Sequence, residues 1–189
     1  MARSKSNIVI EGLSGKIGNL VFRRRKKDGK VFVSAAPSPH KVAPTEAKKK
    51  VNDRFQQAVM YGKSVVANPD LKSLYAQKTS GGQTAFNVAV ADYLNAPTIE
   101  EIDLSNYTGQ VGSVIRVKAT DNFKVARVLV TIKGANGVLL ESDEAVEDIE
   151  NEFYWTYTAT EQNSLPGGTR VTVIASDLPQ NKTTLEKVL

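Results

Sequence analysis

Apolar positions follow more than one period along this chain. Between Ile17 and Ala36 two β-prone runs flank Asp28-Gly29, with Leu20 and Phe22 alternating against Val21, and Val31 and Val33 against Phe32. An Asp-Gly pair between such runs is a strong hairpin signal. A lone hairpin is marginal in water, so this one must lie against something else. Pro37, Pro39 and Pro44 fix φ and disfavour helix at the residues before them, which makes residues 37–44 an extended linker.

A helical period follows. Thr45 is the expected N-cap of a helix on which Ala47, Val51, Phe55, Ala58, Val59 and Gly62 recur at spacings of four and three, opposite Lys48, Lys49, Asn52 and Gln56. Asn68 restarts a short helix with Pro69 at its first position and Leu71, Leu74 and Tyr75 along it. Gly81-Gly82 ends that segment. Thr84 then caps a third helix, with Phe86, Ala89, Val90, Tyr93 and Leu94 on one stripe.

Past Pro97 the period drops to two. Ile115, Val117 and Ala119 alternate with Arg116 and Lys118, and Val128, Val130 and Ile132 with Leu129 and Thr131. Further on, Phe153, Trp155, Tyr157 and Ala159 alternate with Tyr154, Thr156 and Thr158, and Val171, Val173 and Ala175 with Thr172 and Ile174. Asn136-Gly137 predicts a hairpin from Val128–Lys133 into Val138–Glu141, and residues 99–104 and 183–188 read as first and last strands. So many short strands in the second half fit an antiparallel sandwich.

The runs Ile115–Asp121, Val125–Ile132, Gly137–Glu141, Phe153–Tyr157 and Gly168–Asp177 resemble bacterial immunoglobulin-like or fibronectin-III-like modules. The resemblance covers the second half of the chain and implies an adhesive, spacer or particle-decorating unit. Leu178-Pro179-Gln180-Asn181 stands where such modules carry a glycine in the last turn, so no calcium or ligand role comes with it. The front half, with Ser14-Gly15-Lys16-Ile17-Gly18 leading into the hairpin, resembles bacterial proteins with no established activity. The expected fold class is α+β: a basic β-hairpin arm and Pro-rich linker over 1–44, a helical segment over 45–97, and a C-terminal antiparallel immunoglobulin-like β-sandwich over 98–189.

Charge sharpens that division. Residues 1–97 carry 17 Lys and Arg against 6 Asp and Glu, a net of +11, whereas residues 98–189 carry 8 against 14, a net of −6. A molecule polarised in this way pairs head to tail with copies of itself or holds a polyanion at one end. There is no cysteine, which removes disulfides and thiolate chemistry. The longest apolar run of the first twenty residues is Ile8–Ile10, too short for a secretory leader, and no run approaches about 18 apolar residues. The expectation is a cytoplasmic or particle-associated protein that meets no membrane.

No catalytic constellation is visible in the sequence. His40 is the single histidine and stands in the linker, which leaves no Ser-His-Asp arrangement and no conventional zinc site. In Gly12-Leu13-Ser14-Gly15-Lys16 the lysine is followed by Ile17-Gly18 and a strand, where a phosphate loop needs Ser or Thr and a helix. Trp155 falls in the phase of the apolar core. Glu141, Asp143, Glu144, Glu147, Asp148, Glu150 and Glu152 make an acidic loop, read as a solvated face, a dock for a basic neighbour or a calcium site without EF-hand spacing. Arg23, Arg24, Arg25, Lys26, Lys27 and Lys30 cluster at the hairpin tip, where counterion release alone suffices for DNA or RNA binding. No cofactor, metal or small-molecule substrate is expected. The leading expectation is a non-enzymatic structural protein assembling with copies of itself, the basic arm docking on Asp143, Glu144, Glu147, Asp148 and Glu150 of a neighbour. The alternatives are non-sequence-specific nucleic-acid binding by the arm and, more weakly, carbohydrate or protein binding by the sandwich.

Overall fold

The computed structural model describes residues 2–3, 13–25, 29–37, 43 and 45–189, in two compact units, Met1–Thr45 and Glu46–Leu189. The first is a small antiparallel sheet of β1 (Ala2–Arg3), β2 (Gly15–Ile17), β3 (Leu20–Arg24) and β4 (Val31–Ala35), in the order β1-β4-β3-β2. The expected hairpin is β3–β4, in register from Leu20 opposite Ala35 to Arg24 opposite Val31. Its loop closes with Gly29 N–H donating to Arg25 O at 2.9 Å. Lys26, Lys27 and Asp28, like linker residues Pro39, His40 and Pro44, lie outside the described residues.

The hairpin is flanked on both sides. β2 turns into β3 through Gly18, whose φ of 58° is the left-handed conformation that glycine adopts without penalty. The sheet nonetheless encloses little. Phe22 is the only buried hydrophobic residue among those described in this unit, while Ile17 and Leu20 are 56% and 46% exposed.

The second unit begins with α1 (Glu46–Ala67), α2 (Pro69–Gln77) and α3 (Ala85–Leu94). Both internal caps form as expected: Asn68 Oδ1 accepts from Asp70 N and Leu71 N, and Thr84 Oγ1 accepts from Asn87 N at 3.3 Å. The stripe on α1 holds only in its second half. Ala58, Gly62 and Val65 are buried, but Val51 and Phe55 are 68% and 52% exposed, because α3 packs against the later turns. There Gly62 admits Phe86 and Val90 so closely that a Cβ on it would stand 2.8 Å from Val90 Cγ2. No helix among the described residues is long and apolar enough to cross a membrane.

Eight strands follow: β5 (Thr98–Asp103), β6 (Val114–Thr120), β7 (Val125–Lys133), β8 (Leu139–Glu144), β9 (Val146–Glu147), β10 (Tyr154–Thr158), β11 (Arg170–Asp177) and β12 (Lys182–Val188). They form two antiparallel sheets, β5-β6-β10-β9 and β12-β11-β7-β8. The alternation read from the sequence is the observed one. Ile115, Val117 and Ala119 of one sheet and Val128, Val130, Ile132, Val171, Val173 and Ala175 of the other are fully buried in one shared core, with Trp155 and Tyr157 beside them. The short β9 is an addition, and Phe153, assigned to the buried set, is 45% exposed just ahead of β10. The protein is thus α+β, with three helices and mostly antiparallel sheet among the described residues.

Candidate functional site

A second core lies where the helices meet the paired sheets. Phe123, on the turn between β6 and β7, enters a cluster with Val65, Tyr75, Ala85, Val88 and Ala89, and Leu178 of the β11–β12 turn packs against it. Its ring stacks on Tyr75 with centroids 4.1 Å apart. The β11–β12 turn adds a polar fastening. Asn181 Nδ2 donates toward the carbonyl oxygens of Tyr93 and Asn95, each at 3.1 Å, and of Asp92 at 3.3 Å, gathering the last turn of α3 onto the sheet end.

Three carboxylates converge inside this junction. Asp92 continues the buried face of α3 after Ala85, Val88 and Ala89; Asp121 follows the end of β6; Asp177 ends β11. One oxygen from each lies within 4.8 Å of the others. Asp92 is completely buried and Asp177 only 3% exposed. Asp177 is well served, accepting from Asn181 N at 2.6 Å and Asn181 Nδ2 at 2.7 Å. Asp121 Oδ2 accepts from Phe123 N and Lys124 N, both at 3.0 Å. Asp92 Oδ2 accepts from the Tyr75 hydroxyl, which also meets Tyr61 Oη at 2.8 Å. The remaining oxygens, Asp92 Oδ1 and Asp121 Oδ1, are buried and have no partner in the protein.

The electrostatics follow from that crowding. Burial pushes the Asp92 carboxyl up to about 7, opposed by the Tyr75 hydroxyl and reinforced by the charges of Asp121 and Asp177. Asp177 is also raised by burial, against the lowering effect of its Asn181 hydrogen bonds. Tyr75 is driven far up by burial and by donating to Asp92, so its hydroxyl stays protonated. A cavity of about 20 Å³ beside Asp121, Lys78 and Phe123 has room for one water. Such a group of acids takes up a proton or a cation.

The sequence reading assigns no metal ligand and misses this cluster. The signal was present: Asp121 stands two residues beyond Ala119 and Asp177 two beyond Ala175, each in the buried phase of its strand. The residues the sequence did single out lie elsewhere. Arg23, Arg24, Arg25 and Lys30 are exposed around the end of the β3–β4 hairpin, where the Arg25 guanidinium lies 5.3 Å from the Phe32 ring centre. Three of the five acidic docking residues pair within their own unit: Glu144 with Arg127 at 3.2 Å, Glu147 with Lys124 at 3.4 Å, and Asp148 with Arg116 at 3.8 Å. Asp143 and Glu150 are exposed. Glu141 does not belong to a solvated acidic face. It is 8% exposed, and its Oε2 accepts from Tyr157 Oη, Thr160 N and Thr160 Oγ1 at 2.8–2.9 Å. Trp155 is core, as its phase implies.

No family model, curated protein or solved structure matches this chain.

Proposed function

We propose that the chain is a non-enzymatic building block that assembles head to tail with copies of itself, and that its paired sheets are an immunoglobulin-like module. The order β5-β6-β10-β9 against β12-β11-β7-β8 supports the module, since it corresponds to the A-B-E-D and G-F-C arrangement with one strand added beside C.

The observation that carries assembly is the thin interior of the arm. A four-stranded sheet with one buried hydrophobic residue described, and with Ile17 and Leu20 outside, lacks the apolar burial that makes a small sheet independently stable. A second copy is the partner that fits, because the arm is basic and the paired sheets are acidic. The ion pairs of Glu144, Glu147 and Asp148 lie at the surface, Glu147 and Asp148 half-buried, and surface pairs contribute only about 0–1 kcal/mol each, so exchanging them for an arm's arginines costs little. A heterologous contact of this kind yields rings or open filaments.

Light scattering on nuclease-treated protein across a salt series tests this. Large regular particles are expected from the native chain and monomers from the Ile17→Asp/Leu20→Asp variant; a native chain that stays monomeric at every salt concentration sinks the reading. The exposed Arg23 and Arg24 favour a second reading, docking on DNA or RNA. It predicts a monomer that shifts only when duplex is added, with binding that weakens steeply as salt rises.

A further inference from the structure

Among the described residues three buried side-chain polar atoms have no partner, and two of them, Asp92 Oδ1 and Asp121 Oδ1, belong to two of the three clustered carboxylates. Buried polar atoms are nearly always satisfied, so two orphans on neighbouring carboxylates indicate a missing positive group. We infer that Asp92, Asp121 and Asp177 form a Ca²⁺ site that clamps the last turn of α3 to the ends of β6 and β11.

The geometry suits such an ion. Ca²⁺ holds oxygens at about 2.3–2.6 Å, so ligands on opposite sides of it stand about 4.6–5.2 Å apart. The three carboxylates offer oxygens within 4.8 Å of one another, with no nitrogen or sulfur ligand among them. All-oxygen donors select a hard cation. Ca²⁺ fits better than Mg²⁺ because the ligands come from three separate elements, and Ca²⁺ accepts irregular coordination where Mg²⁺ demands a near-ideal octahedron.

The surrounding charges leave the cluster acidic. Tyr61 and Tyr75 face it from α1 and α2 as neutral hydroxyls. Lys78, at the end of α2, gives its ammonium to the Phe123 carbonyl. Three cations of the paired sheets are engaged at the surface, Lys124 with Glu147, Arg116 with Asp148 and Lys118 with Glu100, while Lys182 lies near Asp177 without a carboxylate pair among the described residues. Two buried carboxylates, Asp92 and Asp177, beside the half-buried Asp121 are strongly unfavourable without a counter-charge unless a proton or a metal intervenes. The competing occupant is therefore a proton shared between Asp92 and Asp121.

The inference is independent of the assembly reading, and its test reads stability rather than particle size. Full-length protein is stripped with a chelator, and its melting temperature is followed at pH 7.5 as Ca²⁺ rises to about 10 mM, above the weakest range of Ca²⁺ modules. A rise of about 5–10 °C is expected once Ca²⁺ reaches about a hundred times its Kd, with a smaller rise for Mg²⁺. Asp121→Asn and Asp177→Asn abolish the Ca²⁺ shift, whereas Asp143→Asn/Glu150→Gln, which alters only the exposed loop, retains it. Should the variants fail to fold, Tb³⁺ luminescence on the native chain serves instead, since Tyr75 beside Asp92 sensitises an ion in this cluster and Ca²⁺ displaces it. A melting temperature indifferent to Ca²⁺ overturns the site, and a rise in Asp121→Asn without metal then assigns the shared proton. An equal response to Mg²⁺, or loss of the shift in the Asp143/Glu150 variant, overturns it as well.

Discussion

Both compact units are built on short antiparallel strands, yet they differ in what those strands enclose. In Glu46–Leu189 the strands form two sheets whose inner faces share one core, and a second core ties the helices to the sheet ends. In Met1–Thr45 the described strands form a single sheet, with apolar side chains left on its surface. Alternation makes a strand, but only a second layer turns that strand into stability. The contrast locates the buried apolar residues, and with them most of the folding free energy, in the larger unit.

That contrast can be broken first by trimming one apolar side chain in each unit. Ile132→Ala, in a fully buried position, is expected to cost about 2–5 kcal/mol in a calorimetric melt. Leu20→Ala is expected to stay within about 0.5 kcal/mol when the protein is dilute and monomeric. Equal losses would show that the arm has an interior of its own. The helical layer is probed next by Gly62→Ala. Its added methyl meets Val90 and Phe86 at 2.8–2.9 Å, and the expected loss is about 1–3 kcal/mol of unfolding free energy, read by urea titration.

Polar groups sharpen the comparison further. Glu141→Ala removes the acceptor of Tyr157, Thr160 and Glu161, at a cost of about 1–3 kcal/mol, again by urea titration. For metal-free protein, pH should act through the junction. The folded Asp92 titrates near 7 against an ordinary value of 3.8, so across that interval the folded chain keeps a proton that the unfolded chain has lost. Stability is therefore greatest at the acid end, falls as pH rises through the interval and levels off above it; Asp177, shifted the same way, adds to the slope. Asp92→Asn should flatten the profile of melting temperature against pH. The smallest effect belongs to the surface: Glu144→Gln, which loosens an exposed pair with Arg127, should shift stability by less than about 1 kcal/mol.

Much of the fold was legible because each signal was local. Alternation around Val130 and Val173, the Asn68-Pro69 restart and the Thr84 cap are properties of short windows, and the structure keeps them. The stripe through Val51 and Phe55 failed for the opposite reason. Periodicity states that a face exists and is silent on whether a neighbour reaches it, and α3 covers only the later turns of α1. The carboxylate junction was hidden because Asp92 and Asp177 are 85 positions apart. Each alone reads as an ordinary polar residue at the end of an element, and only the packing of Phe123 among the helices makes neighbours of them. Glu141 was misread within a run of acids, since composition cannot show that this one side chain alternates inward toward Tyr157.

That inward carboxylate also decides where this molecule can grow. β8 is the outer strand of its sheet, and outer strands offer unpaired backbone groups to any passing chain. Here the strand turns a charge toward the interior, and its pairing with β7 slips between Ile132 and Lys133; β5, outermost in the other sheet, slips between Ile99 and Glu101. An arriving strand would have to copy an irregular template and leave room for a buried acid behind it. These two borders resist endless sheet extension, which leaves β12 and β9 as the outer strands on which an arriving chain would have to pair.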